Sequence, residues 1–162
     1  MRSFPLAPMS ALFLWLTVGL MPLPFVFLLA PGGPTEPILR GTGLFVALIY
    51  ASVWFWWRPS RFEIDADALT AVFPMRRRRT PRAEILRAEV LDMAAFRARW
   101  PRAMRVGAGG LWGGFGWLRS SRGWVEFYIS RMDRLVLIER RDRIPLLISP
   151  ADPEAFVQAL IG

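Results

Sequence analysis

The chain has 162 residues, a formal charge of +8, 54% hydrophobic residues, and neither Cys nor His. Thiolate nucleophiles, imidazole bases, disulfides and zinc sites of the usual ligand types are excluded by that composition. All 21 basic residues are Arg, so a Schiff-base lysine and the lysine of a phosphate-binding P-loop are excluded too.

Residues 9–30 and 42–57 are apolar. At about 1.5 Å of rise per residue the first stretch is long enough for a hydrocarbon core of roughly 30 Å, and the second is near the lower limit. Trp54, Trp56 and Trp57 close the second stretch beside Arg58 and Arg61. Indoles and snorkelling guanidinium groups favour the headgroup layer, which makes these five residues the expected membrane-interface anchors. Arg2 precedes the first stretch, Arg40 alone lies between the two, and the remaining arginines follow. The positive-inside rule then predicts a multi-pass protein of the inner membrane with both termini cytoplasmic. A secretory signal peptide is the competing reading of the first stretch, but its apolar run exceeds an h-region of roughly 7–15 residues. Residues 1–58 are expected to form a transmembrane hairpin and 59–162 one small cytoplasmic domain.

Within that domain, 61–64 and 68–73 flank Asp65 and Asp67, aspartates suited to a turn, and predict a β-hairpin. Further strands are predicted at 76–80, 88–91, 117–118, 124–130, 135–139 and 144–148, with 81–86 irregular or a single helical turn. Residues 92–105 are basic and aromatic, interrupted by Pro101 and partly helical at best; 107–116 are glycine-rich. Along 124–129, Trp124, Glu126 and Tyr128 share one face and Val125, Phe127 and Ile129 the other. Ser149 to Glu154 combines capping residues, prolines tolerated in a first turn and acids suited to a helix N-terminus. A helix over 153–161 follows, with Phe156, Val157 and Leu160 on its apolar face. The expected class is α+β, mostly β: two transmembrane helices, then a small antiparallel barrel or two packed sheets capped by the last helix.

The hairpin from Phe62 to Phe73, the segment from Gly109 to Gly116, the strand from Val125 to Ser130 and the ending from Ile148 to Phe156 together resemble the bacterial pleckstrin-homology (PH)-like membrane proteins. The resemblance implies a PH-like β-barrel after a pair of spans, and a binding or assembly module rather than an enzyme. Eukaryotic phosphoinositide-binding PH domains carry a basic cluster at the first hairpin turn. Asp65 and Asp67 stand there in this chain, so inositol-phosphate specificity does not carry over.

The charge draws the domain toward anionic surfaces, and for a tethered domain the nearest is the inner leaflet, worth about 1 kcal/mol per basic residue close to it. Candidate lipid contacts are Arg76, Arg77, Arg78 and Arg79, of which at most half can share one face of a strand, and Arg97, Arg99, Trp100, Arg102 and Arg105. The competing readings are a solvated edge strand for the first group and a plug for one end of the barrel for the second. Nucleic acid is disfavoured, since no helix-turn-helix, zinc knuckle or stacking-aromatic signature is present. The glycine-rich segment has no nucleotide-binding register. Glu63, Asp65 and Asp67 sit around a hairpin turn, without the cleft an acid pair needs. No catalytic residue, metal site or cofactor is expected. The expected function is a membrane-anchored binding module for anionic lipid headgroups, a protein partner or both. The alternative is a scaffold that self-assembles as a homo-oligomer or binds a partner without lipid specificity.

Overall fold

Two prolines break the first apolar stretch. The computed structural model describes residues 1–162, and in it α1 (Ala11–Leu20) gives way at Met21 and Pro22 to α2 (Leu23–Leu29). A proline inside a helix lacks the donor for its backbone bond and crowds the preceding turn. The return helix α3 (Glu36–Ser52) starts earlier than its hydropathy suggested, because Arg40 lies within it, paired one turn back with Glu36. The last turn, Val53–Trp57, widens to a π-helix. Gly43 lets α2 and α3 approach: a Cβ there would lie 2.7 Å from Leu28 Cγ and 2.8 Å from the Pro24 carbonyl oxygen. Both stretches, Ala11–Leu29 and Gly33–Trp57, are long and apolar enough to cross a membrane.

The strands form two sheets. The first is antiparallel throughout, in the order β1 (Arg2–Pro5), β2 (Arg61–Ile64), β3 (Ala68–Val72), β4 (Arg77–Pro81). Its central turn is set by Asp65, whose Oδ1 accepts from the backbone N–H groups of Asp67 at 2.9 Å and Ala68 at 2.7 Å. Those bonds hold the carboxyl below its ordinary range. The second sheet contains β5 (Ile85–Leu91), β6 (Met104–Gly109), β7 (Gly114–Ser120), β8 (Gly123–Ile129), β9 (Leu135–Arg140) and β10 (Arg143–Ile148), in the order β5-β9-β10-β8-β7-β6. The expected antiparallel barrel is thus drawn as two sheets that do not close on each other, with β10 running parallel to β8. The glycine-rich segment is largely paired strand in which the backbones approach closely: Gly107 and Gly116 face each other with φ of 135° and 134°, and a Cβ on either would collide with a carbonyl of the other strand.

One core lies between the sheets. Phe62, Leu69 and Phe73 from the first meet Phe115, Tyr128, Ile138 and Ile148 from the second. Helix α5 (Pro153–Ile161) closes it with Phe156 and Leu160, the Phe156 ring lying edge-on to Phe4 at 5.2 Å and Phe62 at 6.1 Å. Asp152 caps this helix, accepting from the Ala155 N–H at 3.1 Å. Helix and sequence expectation coincide over 153–161.

Strand β1 was not anticipated. Residues before the first apolar helix belong to the same sheet as residues after the second, with Phe4 opposite Phe62. The segment is then stitched across the domain. Ala7 N–H donates to the Ser149 carbonyl and Ser10 N–H to the Ser130 carbonyl, both at 2.9 Å, while the Ser130 hydroxyl donates to the Ala7 carbonyl at 2.5 Å. Phe13, on the first turn of α1, is 1% exposed and joins a second cluster with Phe96, Trp100, Phe127, Leu135 and Leu147. The helical hairpin therefore grows out of the domain at both of its ends.

Candidate functional site

Where hairpin and domain meet, aromatic rings replace a linker. The turn at 110–113 pushes Trp112, at φ 57°, toward the helices. Its ring meets Trp54 at 4.8 Å and Tyr50 at 6.3 Å, and the Trp112 backbone N–H donates to Thr17 Oγ1 at 2.8 Å. The Thr17 hydroxyl in turn donates to the Phe13 carbonyl at 2.7 Å, and Tyr50 to the Leu20 carbonyl at 2.7 Å. Trp57 lies edge-on to Trp117 at 5.2 Å. From the β3–β4 turn, Met75 N–H donates to the Phe55 carbonyl at 3.3 Å. Beyond this seam the helices are bare: Trp15 is 73% exposed and Leu29 80%, with Phe25, Val26, Ile38, Phe45 and Leu48 also outward.

The expected anchors all lie at this seam or next to it. Trp54 and Trp56 are partly exposed, Trp57 less so, and the Arg58 guanidinium sits over the Trp54 ring at 4.6 Å. Arg61, on β2, is turned to Glu63 at 2.7 Å. The Nε atoms of Arg58 and Arg76 are shielded from solvent and have no hydrogen-bond partner.

The four consecutive arginines do not act as one face. Arg76 lies over the Phe73 ring at 4.6 Å; Arg77 and Arg79 are exposed on β4. Arg78 instead reaches from the first sheet to the second, pairing with Glu126 and donating to the Tyr128 hydroxyl at 2.7 Å. Glu126, 2% exposed, also holds Arg140 at 2.9 Å, and Arg140 Nε donates to the Ile144 carbonyl at 2.8 Å. Burial, then the charges of Arg78 and Arg143, bring the Arg140 pKa down to about 10. Burial raises the Tyr128 phenol, opposed by the charges of Arg78, Arg76 and Arg140. The gap beside this cluster is about 20 Å³, room for a water and little else. Glu126 is tied up by three neighbours, an arrangement that joins sheets rather than one that moves protons.

The second candidate group is divided as well. Asp92 caps α4 (Met93–Arg99), accepting from the Ala95 N–H at 2.7 Å. Phe96 and Trp100 stack at 5.0 Å and both are buried, so Trp100 fills the second core and does not project outward. Arg99 lies over the Trp100 ring and is paired with Glu89 at 2.5 Å and with Glu139. Arg97, Arg102 and Arg105 are exposed, lie in none of the chain's ion pairs, and border a cavity of about 480 Å³ between α4 and β6. Sequence reasoning found these arginines but not the cavity. It depends on the pairing of β6 with β7, which no local pattern over 104–109 announces.

Two sheets around one core, closed by a C-terminal helix and carrying arginine-rich edges, define a mixed α+β domain. Residues 60–162 match the family model described as Bacterial PH domain, and the chain belongs to that family, whose domains are generally non-catalytic binding modules. No curated protein and no solved structure matches the chain.

Proposed function

We propose that this protein is a membrane-anchored PH-like module of the bacterial inner membrane, with the helices of Ala11–Leu29 and Gly33–Trp57 spanning the bilayer and the domain of 59–162, completed by β1, held at its cytoplasmic face against anionic headgroups. The observation that carries this reading is the seam itself. Bare apolar helices end at a ring of Trp54, Trp56, Trp57 and Trp112, with Arg58 and Arg76 beside it. Indoles and guanidinium groups take that arrangement at a hydrocarbon boundary. Because the domain is docked without a linker, lipid contact would orient it and leave its remaining surface for a partner. The two sheets, open at their edges here, are the PH-like barrel of the resemblance in this reading.

A self-assembling or partner-binding scaffold is the second reading, favoured by Met104, Val106 and Trp124, which are exposed on neighbouring strands β6 and β8 flanking β7.

The chain has no cysteine, so single cysteines can be introduced into it directly. Thr35→Cys at the hairpin tip and Gln158→Cys on α5 are to be labelled with a membrane-impermeant maleimide in intact cells and in inverted vesicles. Labelling of position 35 only from outside and of 158 only in inverted vesicles is the expected result. Labelling of both from one side would overturn the spanning topology.

A further inference from the structure

The three arginines around the α4–β6 cavity stand out against their neighbours. Arg99, on the same helix as Arg97, is neutralised by two carboxylates, whereas Arg97, Arg102 and Arg105 have none. Their charge is left uncompensated around a floor made of Phe96, Phe127 and Leu147. Arg105 is held over that floor, its guanidinium 5.7 Å from the Phe127 ring centre. Arg102 is kept at φ 51°, a left-handed conformation that an arginine rarely adopts and that tends to persist where the surroundings require it. The volume, about 480 Å³, falls in the roughly 300–1,000 Å³ range of small-molecule sites.

A ligand complementary to this place has an apolar body and an anionic end. One apolar cluster links the cavity floor to the hairpin. Phe13 of α1 lies in the same apolar cluster as the floor, and Leu12, Trp15 and Leu16 of the same helix are exposed. In the membrane-anchored reading this cluster lies where α1 leaves the domain for the bilayer, so lipid is at hand on that side of the domain. We infer that the α4–β6 cavity takes one acyl chain of an anionic phospholipid, with the lipid phosphate held by Arg97, Arg102 and Arg105. Guanidinium groups suit a phosphate because they can present paired N–H donors. This assignment rests on the membrane-anchored reading and names the place where the lipid sits. It makes the lipid a bound ligand, distinct from the headgroups that surround the hairpin.

The test uses the full chain in a nonionic detergent, with native mass spectrometry after addition of phosphatidylglycerol or phosphatidylcholine of equal chain length. One phosphatidylglycerol is expected to remain bound, at an apparent affinity at least about tenfold above phosphatidylcholine, whose choline cation three uncompensated arginines repel. The triple change Arg97→Gln, Arg102→Gln, Arg105→Gln should abolish that preference. Ala103→Trp, which fills the cavity and alters no charge, should remove binding of both lipids, while inorganic phosphate should not displace the bound lipid. Thermal unfolding of each variant serves as the control for folding. Unchanged phosphatidylglycerol binding in the triple and Ala103→Trp variants would overturn the cavity assignment and leave the headgroup reading standing. Loss on Arg77→Gln with Arg79→Gln instead would move the contact to β4. Absence of any preference for phosphatidylglycerol in the unaltered chain would overturn both.

Discussion

Arg78 on β4 and Glu126 on β8 form an ion pair that joins the two sheets across the core. Its two ends differ in environment: Glu126 is buried and shared with the buried Arg140, while Arg78 is 41% exposed. Glu126→Gln leaves Arg140 as an uncompensated interior charge and should lower the unfolding free energy by about 3–5 kcal/mol. Arg78→Gln, whose site water can reach, should cost about 1 kcal/mol or less. Denaturant titration of the full chain in detergent distinguishes them; equal losses would mean that the interior charge is not what the cluster protects.

Alkaline pH separates two opposing effects in the same cluster. The Tyr128 phenol is raised above its ordinary 10.0, so its contribution to stability is intact below about pH 10 and is lost as pH rises through the folded value, because the unfolded chain ionises first. Arg140 is lowered to about 10, well below the ordinary arginine range, so the cost of burying its charge is present below about pH 10 and is relieved above it. Tyr128→Phe should remove the first effect and leave the second. Melting temperature plotted against pH above 10 should fall less steeply in that variant than in the parent.

Thr17 on α1 accepts the Trp112 N–H at 2.8 Å and lies buried in the seam. Thr17→Val keeps the shape and deletes the acceptor, at a cost of about 1–3 kcal/mol for an unsatisfied buried donor. Thr17→Ser restores it. The Trp112 amide should exchange faster with solvent in the valine variant and at close to the parental rate in the serine variant.

Phe13→Ala should cost about 3–5 kcal/mol, the range for emptying a buried phenylalanine site. A fragment beginning at residue 58 should fare worse, since it lacks both Phe13 and β1. Amide exchange in β2, protected on one side by β1 in the full chain, should then rise to that of an open edge.

Gly107→Ala should undo the pairing of β6 with β7, since both the required φ and the approach of the opposite strand exclude a Cβ. The measurable consequence is loss of amide protection from 104 to 109, while β9 and β10 keep theirs.

Elements with local signals were legible from the residues alone. The α5 boundaries follow from Asp152, Pro153 and Glu154, and the β2–β3 turn from Asp65. Strand β1 was not legible, because four residues ending in Pro5 carry no alternating pattern and their partner is a hairpin away in sequence. The parallel pairing of β8 with β10 is non-local in the same sense. At the site, the arginine run looked uniform; only its contacts with Glu126 and Tyr128 on the other sheet single out Arg78. Trp100 was open to two readings, and its stacking on Phe96 settles it in the core. Four of the nine candidate lipid contacts, Arg97, Trp100, Arg102 and Arg105, line a cavity that no residue spacing encodes.

Strand β1 also bears on how the molecule is made. Arg2–Pro5 leaves the ribosome before either helix, yet its hydrogen-bonding partner, Arg61–Ile64, emerges only after both. In a membrane-anchored chain the two can meet only if the hairpin has gone out and come back. A chain inserted with a single crossing would leave β1 and β2 on opposite sides of the bilayer, with an unpaired sheet edge and a misfolded domain marking the error. Completion of the sheet would then act as a proofreading step for insertion.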